Sequence, residues 1–151
     1  MAIAHDTVET AAREVISITA GLEVRGAAHH NEADGNFAEL VGTLSLLGKL
    51  GGTLVVYCTW PQAVAIAVGM LGPSDEKYDD DTVRDAMGEL VNQIGGTIKR
   101  SVGALGAEML LSPPVVVSGS PLSHRVKSSA TPIRVDLELG AGSICVCLWP
   151  A

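Results

Sequence analysis

Apolar residues at Val8, Ala11, Ala12, Val15, Ile18 and Leu22 recur every three or four positions, which predicts an amphipathic helix over residues 6–22. Asp6 or Thr7 is placed to cap it. Residues 26–35 (GAAHHNEADG) are polar and turn-rich and predict a loop. Residues 39–47 and 53–58 are β-rich runs separated by glycines, the pattern of a hairpin. Thr59-Trp60-Pro61 then opens a second helix, with Thr59 as N-cap and Pro61 in the first turn, and Gly72-Pro73 closes it. A charged connector ending in three aspartates leads into the longest helix, over residues 81–102. Residues 114–118 predict a short apolar strand, and residues 124–128 are a candidate for another. Over residues 132–139 the alternation is strict: Ile133, Val135, Leu137 and Leu139 share one face, Arg134, Asp136 and Glu138 the other. That is an antiparallel strand with one wet face. Gly140 to Gly142 supplies a turn, and residues 143–149 return as the last strand.

Three helices and about six strands dominated by hairpins define an α+β fold. The two halves also echo one another. At an offset of 75 residues Asp6, Thr7 and Val8 fall on Asp81, Thr82 and Val83, Ala11 on Ala86, Glu14 on Glu89, and Gly21 on Gly96. A single domain over residues 1–151, built from two repeats of about 1–75 and 76–151, accounts for this.

Composition narrows the classes. Hydrophobic residues make up 47% and charged residues 18%, which suits a packed domain and excludes a disordered one. Aromatics are only 3%, so the core must be aliphatic. No apolar run reaches the ~18–20 residues of a membrane span. The first ten residues contain His5, Asp6 and Glu9 and have neither a basic nor an apolar signal region, so a cytoplasmic protein is expected. The net charge of −7, with ten scattered basic residues, argues against nucleic acid as a partner. Cys58, Cys145 and Cys147 lack further donors at a metal-ligand spacing and read as small apolar residues in a reducing compartment.

The third helix carries the candidate chemistry. At about 100° per residue, Val83, Ala86, Met87, Leu90, Ile94 and Ile98 form a core face, and Asp85, Glu89, Asn92, Gly96 and Lys99 lie opposite. Glu89 and Asn92 are three apart and so neighbours on the helix surface. Asn is a mediocre helix former, and Gly95-Gly96 weakens the helix while leaving its surface shallow. A carboxylate can pair with a partner's cation, and an amide, both donor and acceptor, can hold one water in one orientation. Hydrolysis of an acyl phosphate needs little more, because phosphoryl transfer is catalysed mostly by positioning and charge stabilisation. On spacing alone, Glu-x-x-Asn also describes an ordinary solvated helix face.

The segment DAMGELVNQIGGTIK, residues 85–99, resembles the signature helix of the CheC/CheX/FliY phosphatases. In that family an Asp or Ser is followed by Glu, Asn and a later Pro, and here these fall on Asp85, Glu89, Asn92 and the Pro113-Pro114 pair, with the proline slightly early. GLEVRG at residues 21–26 and PPVVVSG at residues 113–119 extend the likeness, most closely to CheX-like members. The resemblance implies an antiparallel or mixed sheet with two long, pseudo-symmetric helices on one face and a shorter third helix. It implies hydrolysis of the aspartyl phosphate on a CheY-like response regulator in chemotaxis or another two-component pathway. Asn92 would orient the attacking water, Glu89 would pair with the regulator's lysine, and Asp85 and Gly96 would lie in the partner-binding face; Lys99, on the same face, is a candidate to dock an acidic regulator or else ordinary compensation of the helix dipole near its C-terminal end. The Mg²⁺ would belong to the regulator, leaving this chain with no metal or cofactor of its own. The first helix has Glu14 but Ser17 where the amide should stand, so a degenerate second site is expected there. Homodimerisation through the sheet edges is also expected.

Other residues have plainer readings. His29 and His30 read as solvated loop residues, and the aspartates at 79–81 as a capping run at a helix N-terminus. Ser123-His124 lacks a carboxylate in register for a triad. The alternative function is a non-catalytic module that grips a receiver domain, as in a flagellar switch. A small-molecule sensor has only the room for a pocket in its favour.

Overall fold

The β-rich runs pair as hairpins, and the helices cover one side of the sheet they make. The computed structural model describes residues 2–32, 38–122, 126–140 and 142–151, with the side chains of Ser120 and Pro121 left aside. Among the described residues seven strands form one sheet: β1 (Gly26–His30), β2 (Ala38–Leu47), β3 (Gly52–Cys58), β4 (Leu110–Leu111), β5 (Val115–Leu122), β6 (Ile133–Leu139) and β7 (Gly142–Pro150). The order runs β1-β6-β7-β3-β2, with β5 and the two-residue β4 sharing the outer edge of β2. Every pairing among the described strands is antiparallel. Among the described residues four α-helices accompany it: α1 (His5–Glu14), α2 (Trp60–Leu71), α3 (Asp80–Ser101) and the short α4 (Ala104–Ala107). This is the expected α+β class.

The main core lies between helices and sheet. Leu40, Leu44, Leu54, Val56, Leu137, Ile144 and Val146 meet Val8 and Ala12 of α1, Ile66 of α2, and Met87, Leu90, Ile94 and Ile98 of α3. A smaller cluster, Ala38, Val41, Val55, Tyr57, Cys145 and Cys147, sits on the other face. All three cysteines are free and buried, and burial pushes the Cys58 thiol up to about 12. On β6 the alternation holds, but its second face is not simply wet. Arg134 donates two hydrogen bonds to Asp136, at 2.9 and 2.8 Å, and both side chains are mostly covered.

Several boundaries differ from expectation. Residues 26–30 are not loop but the edge strand β1, whose register against β6 is set by backbone pairing that short, polar GAAHH does not advertise. Neither Asp6 nor Thr7 caps α1; Ala4 is its N-cap and supplies no side-chain bond. After Glu14 the first helix widens into a π-helical turn, Val15–Thr19. The wider turn shifts the angular positions of its residues, so Ile18 is 77% exposed while Ile16 is fully buried. Gly21, at φ +63°, then ends the helical path before Leu22. Thr59 does cap α2, in a reciprocal capping box with Gln62. His124 lies outside the described residues, and residues 126–128 are not strand.

Candidate active site

Helix α3 starts where its sequence says it should. Asp79 caps it by accepting from the Thr82 amide at 2.8 Å, and the bonds from Thr82 hold this exposed carboxyl below its ordinary range. Asp80 and Asp81 occupy the first turn, at the positive end of the dipole. The helix then lies close upon β2. A Cβ at Gly42 would stand 2.6 Å from Val91 Cγ2, so only a glycine in the strand admits the helix at this distance. Gly95 does the same from the helix side: its missing side chain makes room for Leu44, 3.3 Å from where a Cβ would be. Of the glycine pair, only Gly96 leaves the outer surface shallow.

The opposite face carries the expected set. Asp85 and Glu89 are exposed, and Asn92, Gly96 and Lys99 are half-buried. Neither Glu89 nor Asn92 is enclosed by its own chain, as an encounter with a partner requires. The Asn92 carboxamide forms no hydrogen bond among the described residues, which leaves its donor and acceptor to a water or a partner. Asp85, Gly88 and Glu89 line an open groove of about 640 Å³ with Asp81, Arg84, Pro114 and Val116. Pro114, not the exposed Pro113, closes this groove: its Cγ lies 3.6 Å from where a Cβ of Gly88 would be. The acidic residues and the proline, far apart in sequence, therefore share one surface.

Two features were not predicted. Arg84 is pinned at the groove wall. It bonds Asp81 at 3.0 Å and Ser118 Oγ at 3.0 Å and lies over the Trp60 ring. Gln93 donates from Nε2 to Glu89 Oε1 at 2.9 Å and accepts from the Thr19 hydroxyl at 2.8 Å. The glutamate–glutamine spacing of four was visible in the sequence, but the partner on the first helix was not.

The other candidates fall elsewhere. Glu14 and Ser17 are both exposed, but Ser17 lies in the π-helical turn and Glu14 in the α-helix before it, so the regular geometry of Glu89 and Asn92 is not repeated. His29 pairs with Glu9 and stacks on His5, and His30 pairs with Asp136. Both are exposed, but they sit on strand β1 and not in a loop. His29 and Arg13 together hold the Glu9 carboxyl below its ordinary range. Asp6, Glu9 and His29 bring ligand-type atoms within 4.8 Å of one another, the one such set among the described residues. Hydrogen bonds within the chain already occupy Glu9 and His29. A cavity of about 190 Å³ beside Arg134 and Asp136 falls below the about 300–1,000 Å³ typical of small-molecule sites. No described helix is long and apolar enough to cross a membrane.

The molecule is thus an α+β domain that presents a Glu-x-x-Asn helix beside a proline-walled groove. The profile of the family described as "Chemotaxis phosphatase CheX" matches residues 40–138, and the chain belongs to that family. The CheY-P phosphatase CheX of Thermotoga maritima is 26% identical over 100 residues, a match covering 66% of this chain and 63% of that protein. The crystal structure of chemotaxis protein CheX from Vibrio vulnificus superposes with a TM-score of 0.84 at 22% identity, over 97% of both chains. A complex of CheX, CheY, BeF3 and Mg²⁺ from Borrelia burgdorferi superposes through a chain at TM-score 0.78 and 17% identity, over 96% of both.

Proposed function

We propose that this chain hydrolyses the aspartyl phosphate of a CheY-like response regulator, with Asn92 and Glu89 as the working pair. The observation that carries this reading is the outward, adjacent placement of a carboxylate and a carboxamide without a hydrogen bond among the described residues, on a helix anchored to the sheet. The chemistry follows from those groups. Glu89 forms a charge-assisted hydrogen bond with the regulator's active-site lysine and fixes the docking register. Asn92, one turn on, enters the regulator's site, where its carbonyl accepts from a water and its amide directs that water at phosphorus opposite the leaving carboxylate. The Mg²⁺ is the regulator's. Asp85 rims the groove, and Gly96 lets the partner approach the helix, with Lys99 available to an acidic partner surface.

We further infer one competent site per chain, with Glu14 and Ser17 as its degenerate counterpart, and an origin by duplication of halves near 1–75 and 76–151. In support, exchanging α1 with α3 and β1, β2 and β3 with β5, β6 and β7 reproduces the strand order in reverse. Exposed Val115 and Val117 on edge strand β5 support a homodimer formed through the sheet. We infer a cytoplasmic location, where a response regulator would meet it.

The test is direct. Purified protein added to phosphorylated receivers from the same genome should speed loss of phosphate from at least one of them. Tight binding without any acceleration would leave the chain a receiver-binding module and remove the catalytic role.

A further inference from the structure

Glu89 is exposed, and a glutamate on a helix surface ordinarily samples several rotamers. Here it does not stand alone. Gln93 lies four residues on and donates to its Oε1, and the other end of the same amide accepts from Thr19, 74 positions earlier in the chain. The direction of this relay is fixed by chemistry. A carboxylate can only accept, so the Gln93 nitrogen must face Glu89 and its oxygen must face Thr19, whose hydroxyl must donate. The three groups form one polarised path from the first helix to the carboxylate. Thr19 is anchored in the first helix and Gln93 and Glu89 in α3, and the link to Thr19 is partly buried.

The first helix is shaped for this. Thr19 is the last residue of the π-helical turn, and the same widening that turns Ile18 out to solvent fixes where Thr19 points. Its counterpart at the 75-residue offset is Ile94, which is fully buried in the core face of α3. The first helix thus carries a half-buried hydroxyl where its counterpart carries only an apolar side chain. Its loss of an amide at Ser17 is matched by a contact that serves the other helix.

We infer that Gln93 and Thr19 are positioning residues that hold the Glu89 carboxylate in its docking rotamer, so that the degenerate half of the molecule buttresses the competent half. The inference rests on the docking role given to Glu89. Gln93 keeps one carboxylate oxygen occupied and aims the other at the partner's cation, and Thr19 keeps Gln93 from turning away. Neither touches the reacting atoms. Their effect therefore falls on recognition of the phosphorylated receiver and not on the chemical step.

The experiment measures both the Kd and the single-turnover rate for a phosphorylated receiver, with melting temperatures recorded for each variant. Gln93→Leu keeps the bulk and removes both hydrogen bonds. It should weaken Kd about fivefold, the equivalent of one net hydrogen bond of about 1 kcal/mol, with the rate at saturation within about twofold of wild type. Thr19→Val should weaken Kd about two- to threefold, and Thr19→Ser, which restores the hydroxyl, should recover most of that. The double variant Gln93→Leu/Thr19→Val should be no worse than Gln93→Leu alone, because Thr19 acts only through Gln93. Additive losses, or a Kd unchanged in Gln93→Leu, would overturn the inference. Should wild type bind without turnover, the Kd series still decides the relay while the catalytic reading fails separately. Should Glu89→Ala leave Kd unchanged, the docking role and the relay fall together.

Discussion

Asn92→Ala should lower the saturating rate of receiver dephosphorylation by roughly 10²- to 10³-fold, the range seen when one preorganised polar group is removed from a reacting centre. The affinity for the phosphorylated receiver should stay within about threefold, because the role proposed for Asn92 is to orient the water and that for Glu89 is to hold the partner. Its effect on stability should run the opposite way. Asn92 is half-buried and makes no hydrogen bond among the described residues, so truncation forfeits little packing and no polar contact. Alanine is also the better helix former, by up to about 0.7 kcal/mol. The variant should therefore melt at or slightly above the wild-type temperature, as thermal unfolding followed by circular dichroism would show. A less active but equally stable protein marks a residue kept for function.

Glu89→Lys should be the most damaging change to recognition. It replaces the carboxylate proposed to face the partner's lysine with a like charge, and such a juxtaposition costs several kcal/mol. The Kd should rise about 100-fold or more, as titration with a phosphorylated receiver would measure. Wild-type affinity should itself weaken with added salt, and the variant's residual binding should not. Glu89 is exposed, so the melting temperature should barely move. A variant that bound as tightly as wild type would show that the carboxylate is a bystander on the helix.

Both residues are legible in the amino-acid sequence because period and chemistry agree there. The core face of α3 reads cleanly from Val83 to Ile98, and the residues opposite have to face outward. The capping box at Thr59, the β2–β3 hairpin and the β6–β7 hairpin are legible for the same reason: local signal and tertiary outcome coincide. Strand β1 is not, because an edge strand of Ala and His owes its shape to backbone bonds with β6 and carries no apolar alternation. The π-helical turn is also hidden. A regular helix would put Ile18 in the apolar stripe and Ile16 outside it, and the widened turn reverses the two. Within the site, a motif can name Asp85, Glu89 and Asn92, but it cannot choose between Pro113 and Pro114. Packing against Gly88 makes that choice. Nor can spacing reveal that Thr19 meets Gln93, since that contact exists only once α1 and α3 have packed together.

The central claim is that the Asp85, Glu89 and Asn92 face of α3, with the groove below Pro114, is where the receiver lands. Amide hydrogen exchange and side-chain NMR shifts can map that contact, using a receiver held in its phosphorylated form by beryllofluoride and Mg²⁺. The account predicts that protection and shifts concentrate on residues 85–99 and around Pro114, and that they fade when beryllofluoride is withheld. A footprint centred on Glu14 and Ser17, or on the β1 edge with α3 untouched, would contradict it.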